Sequence, residues 1–149
     1  MATTRLPTDF KEFLQLLNTY EVKYLLVGGY AVGYHGYPRA TLDMDIWIDR
    51  NPSNAKKLVS VLKKFGFDVD ELKETLFTAE NKITRMGEPP LRIEILTTLS
   101  GVEFEECYNS RVVDTLDNIE INFINLSHLK KNKRAAKRHR DLDDLEHLP

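Results

Sequence analysis

Three acidic residues are spaced so that they could share a metal ion. Asp43 and Asp45 flank Met44 in a run, Asp43 to Ile48, that alternates with apolar residues and then turns at Asp49 to Pro52. Such alternation predicts a strand. Residues i and i+2 of a strand share a face, about 6.5 to 7 Å apart. Two carboxylates so placed repel each other unless a cation shares them. All-oxygen donors suit magnesium or manganese rather than zinc. Met44, Ile46 and Ile48 fall on the opposite, core-facing side. Taken alone, an Asp-x-Asp strand is more often a solvated face than a site.

Glu94 adds a third acid from a second alternating strand, Leu91 to Leu96, with Arg92 and Glu94 on one face and Ile93 and Ile95 on the other. Should this strand pair beside the first, its carboxylate joins the same sheet face. Three acids could then hold two metals about 3.5 to 4 Å apart, the clamp for in-line phosphoryl displacement. Glu94 could also take the proton of an attacking hydroxyl. Gly28-Gly29 is a candidate phosphate cradle. It follows the buried run Val22 to Val27 and opens a short helix, Tyr30 to Tyr34, closed by Gly36 before Pro38. Glycines let backbone N–H groups approach phosphate closely. A lone glycine pair is otherwise a tight turn.

The elements that must position these residues follow from periodicity. Thr8 is placed to cap a helix with the stripe Phe10, Phe13, Leu14 and Leu17. Ser53 is placed to cap a helix through Phe65, with Leu58, Val61, Leu62 and Phe65 inward. Residues 67–86 predict one or two strands, and Glu103 to Asn109 a helical turn. Arg111–Leu116 and Ile119–Ile124 flank Asp117-Asn118, which suggests a hairpin. Ser127 is placed to cap a penultimate helix, and a last helix runs from about Arg140 to Leu148. Interleaved helices and strands place the chain in the α/β (α+β) class, with a mixed sheet flanked by helices.

The 149 residues fit one domain, 1–149, ending in a basic helical segment, 127–149. The apolar fraction of 42% and charged fraction of 30% are those of a soluble globular chain, and no run is long enough for a membrane helix. Met1 to Arg5 lacks the apolar core of a signal peptide, so a cytoplasmic location is expected. A single cysteine, Cys107, excludes an internal disulfide and disfavours a cysteine-built metal site. The net charge of −2 hides a basic block of Lys130, Lys131, Lys133, Arg134, Lys137, Arg138 and Arg140. It could attract phosphate or nucleic acid, or be a solvated helix face.

The run Leu26-Val27-Gly28-Gly29-Tyr30-Ala31, continuing through His35-Gly36-Tyr37-Pro38-Arg39-Ala40-Thr41-Leu42-Asp43-Met44-Asp45, resembles the DNA polymerase beta-like nucleotidyltransferase superfamily. More narrowly it looks like the small prokaryotic nucleotidyltransferases of abortive-infection and toxin–antitoxin type. The tail, Lys133-Arg134-Ala135-Ala136-Lys137-Arg138-His139-Arg140-Asp141-Leu142 with Asp144-Leu145-Glu146, is similar to that group's closing pattern. The resemblance implies a mixed sheet flanked by helices, and transfer of a nucleoside monophosphate from a nucleoside triphosphate to a hydroxyl with two magnesium ions. It implies that Asp43, Asp45 and Glu94 are the catalytic, metal-binding acids and that Gly28 and Gly29 form the phosphate-binding turn. An RNA or protein acceptor, and a toxin or antitoxin partner, are the partners it suggests. The chain departs from the pattern at Gly29, where the superfamily usually has serine, at Glu94, where it more often has aspartate, and at Lys137, where the subgroup often has glycine.

Other residues carry two readings. Arg39, with Thr41 on the same approach, could hold a triphosphate oxygen bidentately or pair with a nearby acid. By resemblance, Lys133 could reach phosphate, oriented by Asp141 and Asp144; otherwise Lys137–Asp141 and Arg140–Asp144 are intrahelical pairs. His35 reads as a structural hydrogen-bonding residue and Trp47 as core. Tyr30, Tyr34 and Tyr37 read as lining a pocket mouth, and Cys107 as a small buried residue. The alternative to catalysis is a nucleotide- or partner-binding module, and an RNA-binding tail is compatible with either.

Overall fold

The computed structural model describes residues 6–88 and 91–149. The expectation for Met1 to Arg5 lies outside these residues. The chain runs α1 (Thr8–Thr19), β1 (Tyr24–Val27), α2 (Gly28–Tyr34), β2 (Asp43–Ile48), α3 (Pro52–Phe65), a 3-10 turn (Glu74–Phe77), β3 (Ile83–Met86), β4 (Arg92–Leu96), α4 (Phe104–Asn109), β5 (Val112–Leu116), β6 (Ile119–Phe123), α5 (Leu126–Ala136) and α6 (His139–His147). Among the described residues the strands form one sheet in the order β3-β4-β2-β1-β6-β5. β2 runs parallel to β4, and β1 parallel to β6, while the other pairs are antiparallel. The class is therefore the mixed sheet flanked by helices that the alternation predicts. No described helix is long and apolar enough to cross a membrane.

The strand pleat divides the core in two. Leu26, Met44, Ile46, Ile48, Ile93 and Ile95 pack on one face against the stripes of α1 (Phe10, Phe13, Leu14, Leu17) and α3 (Leu58, Val61, Leu62). Leu25, Val27 and Trp47 occupy the other face with Cys107 of α4, Leu129 of α5 and Leu148. Phe104 of α4 meets Trp47 edge to face, with ring centroids 5.1 Å apart. Because side chains alternate, Asp43 and Asp45 share this second face with Trp47. Asn54 staples α3 to the sheet by accepting from Lys23 N at 2.7 Å and donating to Lys23 O at 3.0 Å and Asp49 O at 2.9 Å.

Helix starts differ from expectation in one direction. Thr8 is the first residue of α1 and Pro7 precedes it without a side-chain cap. Asn51, not Ser53, caps α3, accepting from Ser53 N at 2.8 Å with Pro52 at the first helical position. Asn125, not Ser127, caps α5 by accepting from His128 N at 2.7 Å. In both cases an asparagine two residues upstream satisfies a first-turn N–H before the serine can, a standard role for its side chain. α2 starts at Gly28 rather than Tyr30 because Gly28, at φ +66°, turns the chain straight out of β1. Residues 67–86 contain one strand and the 3-10 turn, which buries Phe77. The 117–118 hairpin forms with both turn residues at positive φ, as a two-residue type I′ loop demands.

Candidate functional site

Parallel pairing of β2 with β4 brings the acids together. Asp45 stands opposite Glu94 and Asp43 opposite Arg92, while Val27 of β1 flanks Asp45 on its other side. Directly paired residues share a face, so the three carboxylates converge on the α5–α6 side of the sheet. Asp45 Oδ1 is buried and, among the described residues, has no hydrogen-bond partner. Burial raises its pKa from 3.8 to about 7, with Glu94 and Asp43 adding like-charge repulsion.

Glycine is required where the turn meets these acids. A Cβ on Gly28 would fall on the Asp45 carboxylate, and φ is +66° there. A Cβ on Gly29 would come within 2.6 Å of Thr41 Oγ1 and 2.8 Å of Thr41 Cβ. Thr41 in turn donates to Asp43 O at 3.2 Å. Gly28, Gly29, Thr41, Asp43 and Asp45 thus form one contiguous surface.

An all-carboxylate donor set with a buried oxygen unpartnered among the described residues fits a hard divalent cation. The outer acids are engaged elsewhere. Arg85 Nε donates to Glu94 Oε1 at 3.0 Å, and Arg92 Nε lies 3.5 Å from Asp43 Oδ1. As the side chains stand, no three described His, Cys, Asp or Glu residues form a ready-made cage. Arg85 and Arg92 are the cations that a cation-bound site must displace or share.

The remaining candidates lie on a second layer built by α5 and α6. Arg39 donates to Asp144 through Nε at 2.8 Å and Nη2 at 3.0 Å. Lys133 is 3% exposed, and its ammonium sits 3.2 Å from Asp141 Oδ1 and 3.1 Å from Asp144 Oδ2, both aspartates being wholly buried. Lys133 thus packs between Asp141 and Asp144, the two acids expected to orient it. The suggested pairs of Lys137 with Asp141 and Arg140 with Asp144 give way to this cluster. Lys137, at φ +58°, ends α5, so Lys137 and Asp141 do not share a helix. Arg138 replaces Lys137 on Asp141, donating through Nε at 2.8 Å and Nη2 at 3.3 Å. The sequence reading missed Arg138, whose only signal was its place three residues before Asp141 in a basic run.

His35 Nε2 lies 2.7 Å from Ile124 O, a structural bond. Trp47 is core, and Cys107 is buried. Tyr30 and Tyr34 line a cavity of about 550 Å³ together with Gly29, Arg39, Thr41 and Phe123. Tyr37 instead stacks on His147 of α6, with centroids 4.3 Å apart, and donates to Asp143.

No protein-family model matches the chain, and no curated protein matches it. Among solved structures it is similar to a Thermotoga maritima protein described as a "putative nucleotidyltransferase", with a TM-score of 0.64 and 13% identity over 92% of this chain and 88% of that one. At that identity the likeness is one of fold.

Proposed function

We propose that the chain is a divalent-cation-dependent nucleotidyltransferase that moves a nucleoside monophosphate from a nucleoside triphosphate to a hydroxyl acceptor. The observation that carries this reading is the buried, unpartnered Asp45 Oδ1 set against a glycine turn that admits no side chain. The fold shared with the Thermotoga protein supports it. Asp43, Asp45 and Glu94 would hold magnesium or manganese. The cations, when bound, would neutralise charge on the phosphates and acidify the acceptor hydroxyl. Backbone N–H groups at Gly28 and Gly29, Thr41, and the free edge of Arg39 would bind the phosphates. The adjoining cavity of about 550 Å³ has room for the nucleoside. The acceptor oxygen bonds to the α-phosphorus as the α–β anhydride bond breaks. Glu94 takes the hydroxyl proton, and pyrophosphate leaves.

The test is incubation with labelled nucleoside triphosphates, magnesium or manganese, and RNA or protein acceptors. Wild type transfers label, and Asp43→Ala/Asp45→Ala does not. If neither transfers label, catalysis is refuted. The hold of Arg85 on Glu94 and the ion pair of Arg92 with Asp43 favour one second reading, a non-catalytic nucleotide- or partner-binding module of toxin–antitoxin type. Cation-dependent triphosphate binding without turnover is its signature.

A further inference from the structure

The α5–α6 elbow carries an arginine held like one already placed at the site. Arg39 gives Nε and Nη2 to buried Asp144, and Arg138 gives Nε and Nη2 to buried Asp141. Lys133 sits between the two aspartates, donating to Asp141 and ion-paired with Asp144. The result is one chain of hydrogen bonds and ion pairs, Arg39–Asp144–Lys133–Asp141–Arg138. Among the described residues no hydrogen bond engages Nη1 of either arginine. Arg39 Nη1 lies 3.3 Å from where a Cβ on Gly29 would be, so this end of the chain abuts the glycine turn. The other end lies within electrostatic reach of Asp45. Three cations against two carboxylates leave the cluster one positive charge.

Burial and exposure divide the labour. Lys133 is closed off, whereas the Arg138 side chain is 72% exposed. A guanidinium fixed along one edge and open along the other is preorganised for a phosphate oxygen, because little rotamer freedom remains to be lost on binding. An exposed arginine without such an anchor would carry no such argument.

Resting on the proposed function, we infer that Arg138 is a binding residue for the polyphosphate tail of the nucleotide. Lys133 is the positioning residue behind it, acting through Asp141 and Asp144.

The test is calorimetric titration of the folded full chain, in manganese, with ATP, GTP, CTP and UTP, their monophosphates, and inorganic tripolyphosphate. Wild type binds a triphosphate more tightly than its monophosphate. Arg138→Gln loses on the order of ten-fold or more in triphosphate and tripolyphosphate affinity, as expected for a charge-assisted pair, and keeps its monophosphate affinity. Arg138→Lys, which keeps the charge without the two-point anchor, falls between. An unchanged triphosphate-to-monophosphate ratio in a folded Arg138→Gln protein overturns the inference, as does an Arg138→Lys protein equal to wild type. A purely structural role would weaken all ligands together, which also overturns it. If wild type binds no nucleotide, the proposed function fails. Tripolyphosphate then still decides Arg138, since a loss confined to the variants upholds the anion site and equal binding refutes it.

Discussion

Replacing Asp45 by asparagine should stabilise the cation-free protein while abolishing its activity. Asp45 is half-buried, with its Oδ1 covered, beside two other acids, and its pKa rises from 3.8 to about 7. Below pH 3.8 the group is protonated in both folded and unfolded chains and contributes no pH dependence. Between 3.8 and 7 the folded chain keeps a proton that the unfolded chain has lost, so stability falls as pH rises. Above 7 the loss is complete, and at about 1.36 kcal/mol per pH unit it amounts to about 4 kcal/mol. An asparagine at this position cannot ionise and fills the same space. Asp45→Asn should therefore be more stable than wild type by about 2–4 kcal/mol at pH 8, or about 10 °C in melting temperature for a chain of this length. The assay is thermal unfolding in chelator from pH 4 to 8, for both proteins. The gap should close towards pH 4. Magnesium or manganese should raise the wild-type melting temperature at pH 8 and leave the variant nearly unmoved. A variant that melts at or below wild type at pH 8, or a gap independent of pH, would show that Asp45 is not strained by ionising there.

Three further outcomes follow from the geometry. Gly28→Ala puts a methyl group on the Asp45 carboxylate at φ +66°, so unfolding in urea should show a loss of about 2 kcal/mol or more, with nucleotide transfer abolished. Lys137→Gly relieves a left-handed residue between α5 and α6 and should raise the urea midpoint by about 0.5–1 kcal/mol equivalent. Asp144→Ala leaves Arg39 and Lys133 without their shared buried carboxylate and should cost about 3–5 kcal/mol, read by the same titration.

Period-two alternation made the central strands legible. It put Asp43 and Asp45 on one face and Glu94 on a matching strand, and the parallel β2–β4 register sets Asp45 against Glu94. The amphipathic stripes of α1 and α3 were equally plain, because each buries a single face. What stayed hidden was long-range. Arg138 had only its place three residues before Asp141 to tell it from its basic neighbours, and nothing local joins Arg39 to an aspartate 105 positions away. The opposition of Arg85 and Glu94 depends on β3 pairing with β4, across residues whose pattern allowed one strand or two. Helix starts were misread where a serine and an upstream asparagine competed for the same first-turn amides.

The bond between Arg39 and Asp144 also bears on the order of events during synthesis. The glycine turn, both aspartates of β2 and Glu94 all leave the ribosome before α6 is made. Until α6 docks, Arg39 lacks its anchor and Lys133 has neither carboxylate, so this cluster of paired cations is not held in place. A nascent or nicked chain lacking α6 would keep the glycine turn and Thr41 but leave Arg39 and Lys133 without the carboxylates that fix them. The arrangement of Arg39 and Lys133 is therefore complete only when α6 has packed back on the segments that carry them.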